Sequence, residues 1–218
     1  SMQNSPTDGA GQAMCKIAKL NFNNSELTPT TDKMWNAAWN TIANCNELIQ
    51  KAESADSTIF YLGDFERKLI LSEAIGLRAY LHFDLLRMYA PAPAANPGKK
   101  TYIPYVNYYP AYVNENISVS ECLEHIISDL KKAQEALYLL EGKKTTSLSA
   151  NKRFQQSASG KKLFFALRGY RLNYWATTAL LARVYLYAGM KEEAYKEAKV
   201  LIDEEKKYGF FQAVTSAY

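Results

Sequence analysis

The sequence predicts an all-α chain of antiparallel helical hairpins joined by long irregular loops. Three observations lead there. Apolar residues recur at spacings of three and four in five separate stretches, the period of a buried helix face. These stretches are bounded by residues that start or stop helices. The last two carry small residues where paired helices approach each other closely.

Residues 1–30 read as an irregular lead-in rich in Asn, Thr, Ser, Gly and Pro, with a short helical stretch at Met14–Leu20. A helical domain is expected over 31–218. Thr30-Thr31-Asp32 offers an N-cap for a helix over 33–53, because a side-chain oxygen there satisfies an orphan amide. Trp35, Trp39, Ile42, Asn46 and Ile49 follow its period. Both tryptophans either pack in the core, the commoner fate, or offer ring faces to a ligand. Asn46, on an otherwise apolar face, is expected to bond a backbone group.

The helix at 63–89 is central. Ile70, Ala74, Leu77, Leu81, Leu85 and Met88 form one stripe, which Ala79, Tyr80 and Phe83 widen. Such a helix packs between neighbours. Pro91 and Pro93 stop it, since proline lacks the amide donor and clashes with the preceding turn. Glu73 and Arg78, five apart on it, are expected to pin packed helices together through hydrogen bonds.

From Ala90 to Asn116 the chain changes character. Five tyrosines (Tyr102, Tyr105, Tyr108, Tyr109 and Tyr112) fall within eleven residues, punctuated by Pro104 and Pro110. Loops of this length inside a compact domain are usually functional or disordered, and this one is too aromatic for disorder. Its rings either pack the loop onto the helices or stand open to a ligand.

Ser118-Val119-Ser120-Glu121 is a capping box that opens a helix over 118–141. Leu123, Ile126, Ile127, Leu130, Ala133, Leu137 and Leu140 share its face, and Gly142 suits its C-terminal cap. Residues 143–168 read as an exposed connection with an apolar anchor at Leu163-Phe164-Phe165-Ala166-Leu167. Helices over 170–189 and 191–206 then meet at Gly189. Ala182 and Ala194 stand twelve apart with Tyr185 between them. That is the spacing of small and aromatic positions in the ~34-residue tetratricopeptide repeat, so the hairpins are tetratricopeptide-like.

Composition excludes several functions. The net charge of +4 comes from 26 basic and 22 acidic residues scattered along the chain, with no basic run interleaved with aromatics. Nucleic-acid binding is therefore not expected. Cys15, Cys45 and Cys122 form no CxxC, and His82 and His125 stand alone, so no metal site is expected. Free buried thiols are the reading preferred for the cysteines; a Cys45–Cys122 disulfide stays open for an exported protein. Glu73 and Asp84 lie about 16 Å apart along one helix, too far for a two-carboxylate glycosidase. With no nucleophile motif and no phosphate loop, no catalytic residue, no cofactor and no enzyme activity are expected. No run is apolar enough to cross a membrane.

The motif Glu73-Ala74-x-x-Leu77-Arg78-Ala79-Tyr80-x-x-Phe83-Asp84-Leu85-x-Arg87-x-Tyr89, followed by prolines, resembles the central N-terminal helix of the SusD/RagB family. Three further segments resemble the family in its order. They are Trp35-x-x-x-Trp39-x-x-Ile42-x-x-x-Asn46-x-x-Ile49, then Ile117-Ser118-Val119 through Ala133, then, within 171–202, Ala176-x-x-Ala179-Leu180-Leu181-Ala182-Arg183-Val184-Tyr185-Leu186-Tyr187. One departure is Ala90, where the family usually has glycine before the proline.

The resemblance implies a surface-exposed outer-membrane lipoprotein of Bacteroidetes that binds a glycan or oligosaccharide and acts with a SusC-like TonB-dependent transporter in nutrient uptake. Family members are longer, so the chain is expected to be a fragment or an unusually short member that holds the helical-repeat portion. The sequence shows no signal peptide, and Cys15 has no apolar stretch before it, so signal and lipid anchor are expected to have been removed. The family places ligand contacts in the loop after the central helix. Here those candidates are Tyr102, Tyr105, Tyr108, Tyr109 and Tyr112 as stacking faces, with Asn96 and Asn107 as hydroxyl partners. The alternative is a helical-repeat scaffold for protein–protein interaction without a ligand site of its own.

Overall fold

A computed structural model describes residues 15, 17–19, 27–95, 98–140 and 168–208, with side chains through 203. Five long helices account for most of them: α1 (Thr28–Ser54), α2 (Asp64–Tyr89), α3 (Val119–Leu140), α4 (Tyr174–Tyr187) and α5 (Lys191–Tyr208). Two short strands, β1 (Thr101–Ile103) and β2 (Ile117–Ser118), form an antiparallel pair. The fold is all-α, with tetratricopeptide-like hairpins. Cys45 and Cys122 are buried free thiols as expected, whereas Cys15 is exposed. Gly142 and the Leu163–Leu167 anchor lie outside the described residues.

The chain divides into two compact units, Ser1–Thr41 and Ile42–Tyr218. In the first unit α1 begins at Thr28, earlier than the cap at Thr30-Thr31-Asp32 would place it. Thr31 Oγ1 instead donates back to the Thr28 carbonyl at 2.9 Å. Trp35 and Trp39 pack edge to face, with ring centroids 5.5 Å apart.

In the second unit, helices pack in chain order: α2 on α3, α3 on α4 and α4 on α5. Ile49 of α1, Ala74 and Ile75 of α2 and Ala133 of α3 form one core cluster. Leu69, Leu137, Tyr174 and Trp175 form another. Each large aliphatic side chain among them taken from water contributes about 2 kcal/mol. Gly76 permits the close approach. A Cβ there would stand 2.5 Å from Leu172 Cδ2 and 3.5 Å from Ala133 Cβ.

The ends of the helices follow local chemistry. Gly63, at φ 62°, turns the chain into α2, and Glu66 accepts the Leu62 amide at 2.9 Å. Ser118 Oγ accepts the Glu121 amide at 3.2 Å, the hydroxyl half of the capping box. Asn173 caps α4 by accepting the Ala176 amide at 2.9 Å. At the other end of α4 the Met190 amide reaches the Tyr185 carbonyl and Gly189 the Leu186 carbonyl, with Gly189 at φ 81°. This is the glycine-terminated Schellman arrangement.

The buried face of α2 differs from the hydropathy stripe. Leu77 and Met88 are exposed, while Ser72, Arg78 and His82 are buried beside Ala79, Phe83 and Leu86. Polar partners on other elements account for the burial of Arg78 and His82, whereas Ser72 Oγ donates to the Lys68 carbonyl of its own helix at 2.8 Å.

Candidate functional site

The segment between α2 and α3 is closed at its base by the β1–β2 pair, where Thr101 faces Ser118 and Ile103 faces Ile117. Residues 104–116 therefore form a loop with a fixed stem. Its two halves meet different surroundings.

The first half lies on a polar network buried among α1, α2 and α3. Arg78 is its hub. The guanidinium donates to Asp129 Oδ2 from Nε at 2.8 Å and from Nη2 at 2.6 Å. Its Nη1 reaches Asn46 Oδ1 at 2.9 Å and the Asn107 carbonyl at 3.2 Å. Asn46 Nδ2 donates to the Val106 carbonyl at 3.1 Å, the backbone role its sequence position suggested. His82 takes the other side of Val106, accepting its amide on Nε2 at 3.0 Å. Its Nδ1 lies 2.9 Å from the Arg78 carbonyl. A carbonyl can only accept, so Nδ1 carries the proton and the imidazole is neutral. Burial holds the His82 pKa down at about 4, against the opposing pull of the Arg78 carbonyl.

Tyr105 completes this base. Its hydroxyl donates to Asp129 Oδ2 at 2.6 Å. Its ring stacks on His82 at 4.1 Å and on His125 at 4.9 Å between centroids. Two rings stacked that closely on a third must take opposite faces, so Tyr105 is sandwiched and shows no ring face to a ligand. Burial, and then the Asp129 carboxylate, push its phenol well above the usual tyrosine range.

The second half is open. Tyr108 is 46% exposed, Tyr109 38% and Tyr112 85%, and Val113 beside them is 92% exposed. Tyr108 donates its hydroxyl to Asn114 Oδ1 at 2.9 Å, a contact that orients the ring without covering it. Asn107 projects an exposed amide from the join between the halves, while its carbonyl is held by Arg78. Tyr102, on β1, is half-buried with the Lys100 ammonium 5.6 Å from its ring centroid. Asn96 lies outside the described residues.

Two features were not anticipated from sequence. One is the Asp129–Arg78–His82 base itself, whose members are distant in the chain. The motif on α3 contained Asp129, but only its pairing with Arg78 reveals its role. The other is a groove of about 330 Å³ between the start of the loop, α3 and the α4–α5 turn. Pro93, Val119, Leu123, Ile127 and Met190 give it an apolar floor, with the Glu124 carboxylate at its wall.

The other pin on α2, Glu73, serves the helices. Glu73 pairs with the fully buried Arg168 and with Arg171, the latter at 2.5 Å. Burial, with Arg171 adding to it, lowers the Arg168 pKa to about 9. Glu73 and Arg78 are thus both pins, as their places on a nearly buried helix suggested.

Comparison with known proteins agrees with this architecture. A family described as SusD-like, starch-binding and associating with the outer membrane matches residues 5–159. No curated protein matches. Among solved structures, a SusD superfamily protein from Bacteroides thetaiotaomicron is 27% identical, with a TM-score of 0.57 over 82% of this chain and 33% of its own. A putative sugar binding protein from Bacteroides vulgatus is 24% identical, with a TM-score of 0.57 over 81% of this chain and 34% of its own. The surface glycan-binding protein A from Bacteroides fluxus is 23% identical, with a TM-score of 0.56 over 83% and 31%. The chain thus spans about a third of the length of these structures. With residues 5–159 of its 218 matched to the family, and with the helical fold its solved members share, the chain belongs to the SusD-like family.

Proposed function

We propose that this chain is part of a glycan-binding protein of the cell surface, held at the outer membrane, and that the open half of the tyrosine loop contacts the ligand. What carries the reading is the contrast within the loop: a base fixed by buried hydrogen bonds presents Tyr108, Tyr109 and Tyr112 to solvent. Aromatic faces stack on the apolar C–H faces of pyranose rings, and the exposed Asn107 amide suits hydroxyls on either side. Tyr102 stands at the edge of this set, and Asn96 remains a proposed hydroxyl partner. A fixed base lowers the entropy lost when the ligand orders the rings. We read the activity as binding; Glu73, paired with two arginines, and Asp84, paired with Arg87, support that reading over a carboxylate-pair catalyst. A SusC-like TonB-dependent transporter is the proposed partner in uptake.

The test is retention on immobilised polysaccharides, beginning with starch, for the chain and for a Tyr108→Ala/Tyr109→Ala double variant. Retention should fall at least about tenfold, a loss of 1.4 kcal/mol or more, with the helical circular dichroism unchanged. Binding should also survive added salt, because ring stacking needs no charge pairing. A variant that folds and binds as before would move the site off this loop.

A second reading has its own support. Leu186, Tyr195 and Ile202 are exposed apolar side chains on the α4–α5 hairpin, a surface suited to a protein partner. A scaffold of that kind would bind the transporter and retain no polysaccharide.

A further inference from the structure

We propose that His82 is the positioning residue of the tyrosine loop, and that it holds the loop in its ligand-ready shape only as the neutral imidazole. This rests on the loop being the ligand loop, but its amide-protection test does not.

The geometry leaves His82 no room for a second proton. Nε2 spends its lone pair on the Val106 amide at 3.0 Å, while the Nδ1 proton faces the Arg78 carbonyl at 2.9 Å. Protonating Nε2 turns an acceptor into a donor pointed at another donor, so the Val106 bond must break. The residues after Val106 are the ones that carry the open tyrosines. Among the described residues, the charged and titratable groups facing His82 include Arg78 on its own helix, Tyr105 on the loop, and Asp129 and His125 on α3. From α1, the Cys45 thiol stands within the field of Arg78, next to Asn46. Cys122 adds a second thiol beside Tyr105. Desolvation is the strongest influence against the imidazolium, and the Arg78 and His125 charges add to it; the Arg78 carbonyl and Asp129 favour the charged ring but are outweighed, and the ring titrates at about 4 instead of 6.5.

The sign follows from linkage. A histidine whose folded pKa lies below its unfolded value gives up stability as pH falls from 6.5 towards 4. Local opening at Val106 is the cheapest way to admit the proton, because it solvates the ring without unpacking the helices. Acidification should therefore release the loop before it melts the core.

The experiment follows amide protection of Val106 and of core positions such as Leu86 and Leu130 between about pH 7 and pH 4. In the wild-type chain, protection at Val106 should drop at least about tenfold across that range while the core amides hold. In His82→Gln, whose side-chain oxygen can still accept the Val106 amide, protection should be insensitive to pH. In His82→Phe, which keeps the ring stack but has no acceptor, it should be low throughout. An equal acid response in wild type and His82→Gln would assign the transition to a carboxylate such as Asp129 and overturn the proposal. If neither variant folds, nitrogen chemical shifts of His82 in the wild type decide. Loss of the unprotonated Nε2 signal must coincide with shifts of the amides of Tyr108, Tyr112 and Val113, and amides that stay put through it overturn the proposal. Starch retention separates the two readings. A loop that moves with His82 in a chain that retains no polysaccharide at any pH defeats the glycan reading alone. Retention unchanged through the transition defeats the positioning role.

Discussion

The two halves of the tyrosine loop have nearly the same composition and opposite fates. Tyr105 lies between two imidazoles with its hydroxyl on a carboxylate, whereas Tyr112, seven residues on, keeps 85% of its surface in water. Nothing intrinsic to tyrosine separates them. What differs is the presence beneath Tyr105 of four polar side chains from three helices. The hydrogen bonds there fix the backbone at 106–107, so the tyrosines beyond can stand open without the loop collapsing onto apolar helix surface. A rigid half is the condition for an exposed half.

Removing the hub should have the largest effect. Arg78→Met keeps much of the stem volume but leaves Asp129 without its charged partner, with only the Tyr105 hydroxyl still donating to it, and takes the Arg78 donor from the Asn107 carbonyl. Loss of one partner from a buried ion pair costs about 3–5 kcal/mol, and the Arg78 side chain is only 7% exposed. Chemical denaturation should show that loss. A change under about 1 kcal/mol would mean the network is not the loop's foundation.

Much of this was legible in the sequence, and the limits have a physical cause. The periods of α1 to α5 gave five helices whose ends lie within a few residues of those observed, because period and caps are local properties. Asn46 was readable as a backbone-bonding residue because an amide in an apolar face needs a partner. The buried face of α2 was misread for the opposite reason. Hydropathy favours Leu77 and Met88 for the core over Arg78 and His82, yet the structure buries the polar pair. Burial of an arginine depends on a carboxylate that lies 51 residues away in the chain, and no local period reports that. Tyr105 was grouped with the open tyrosines for the same reason, since its two stacking partners, His82 and His125, come from different helices.

A milder change separates anchoring from packing at Tyr105. Tyr105→Phe keeps the ring between the two histidines and deletes only the hydroxyl bond to Asp129. A hydrogen bond to a charged acceptor contributes about 2 kcal/mol, and Asp129 keeps its two bonds from Arg78. Stability should therefore fall by about that amount, less than for Arg78→Met. If the loss equals that of Arg78→Met, the hydroxyl and not the guanidinium is the keystone.

The smallest effect on stability, and the sharpest on the contrast, is expected at Tyr112. Tyr112→Ser removes a ring that makes no hydrogen bond or ring contact among the described residues and is nearly all solvated. Surface changes of this kind usually stay within about 0.5 kcal/mol, so the denaturation midpoint should not move. Starch retention should nevertheless weaken, because an open ring face contributes to stacking what it does not contribute to folding. The ratio of the two effects is the test. A ring with no part in stability and a part in retention belongs to the binding half of the loop. Should Tyr112→Ser destabilise the chain as Tyr105→Phe does, the loop would be one packed unit, and the division between a fixed half and an open half would fail.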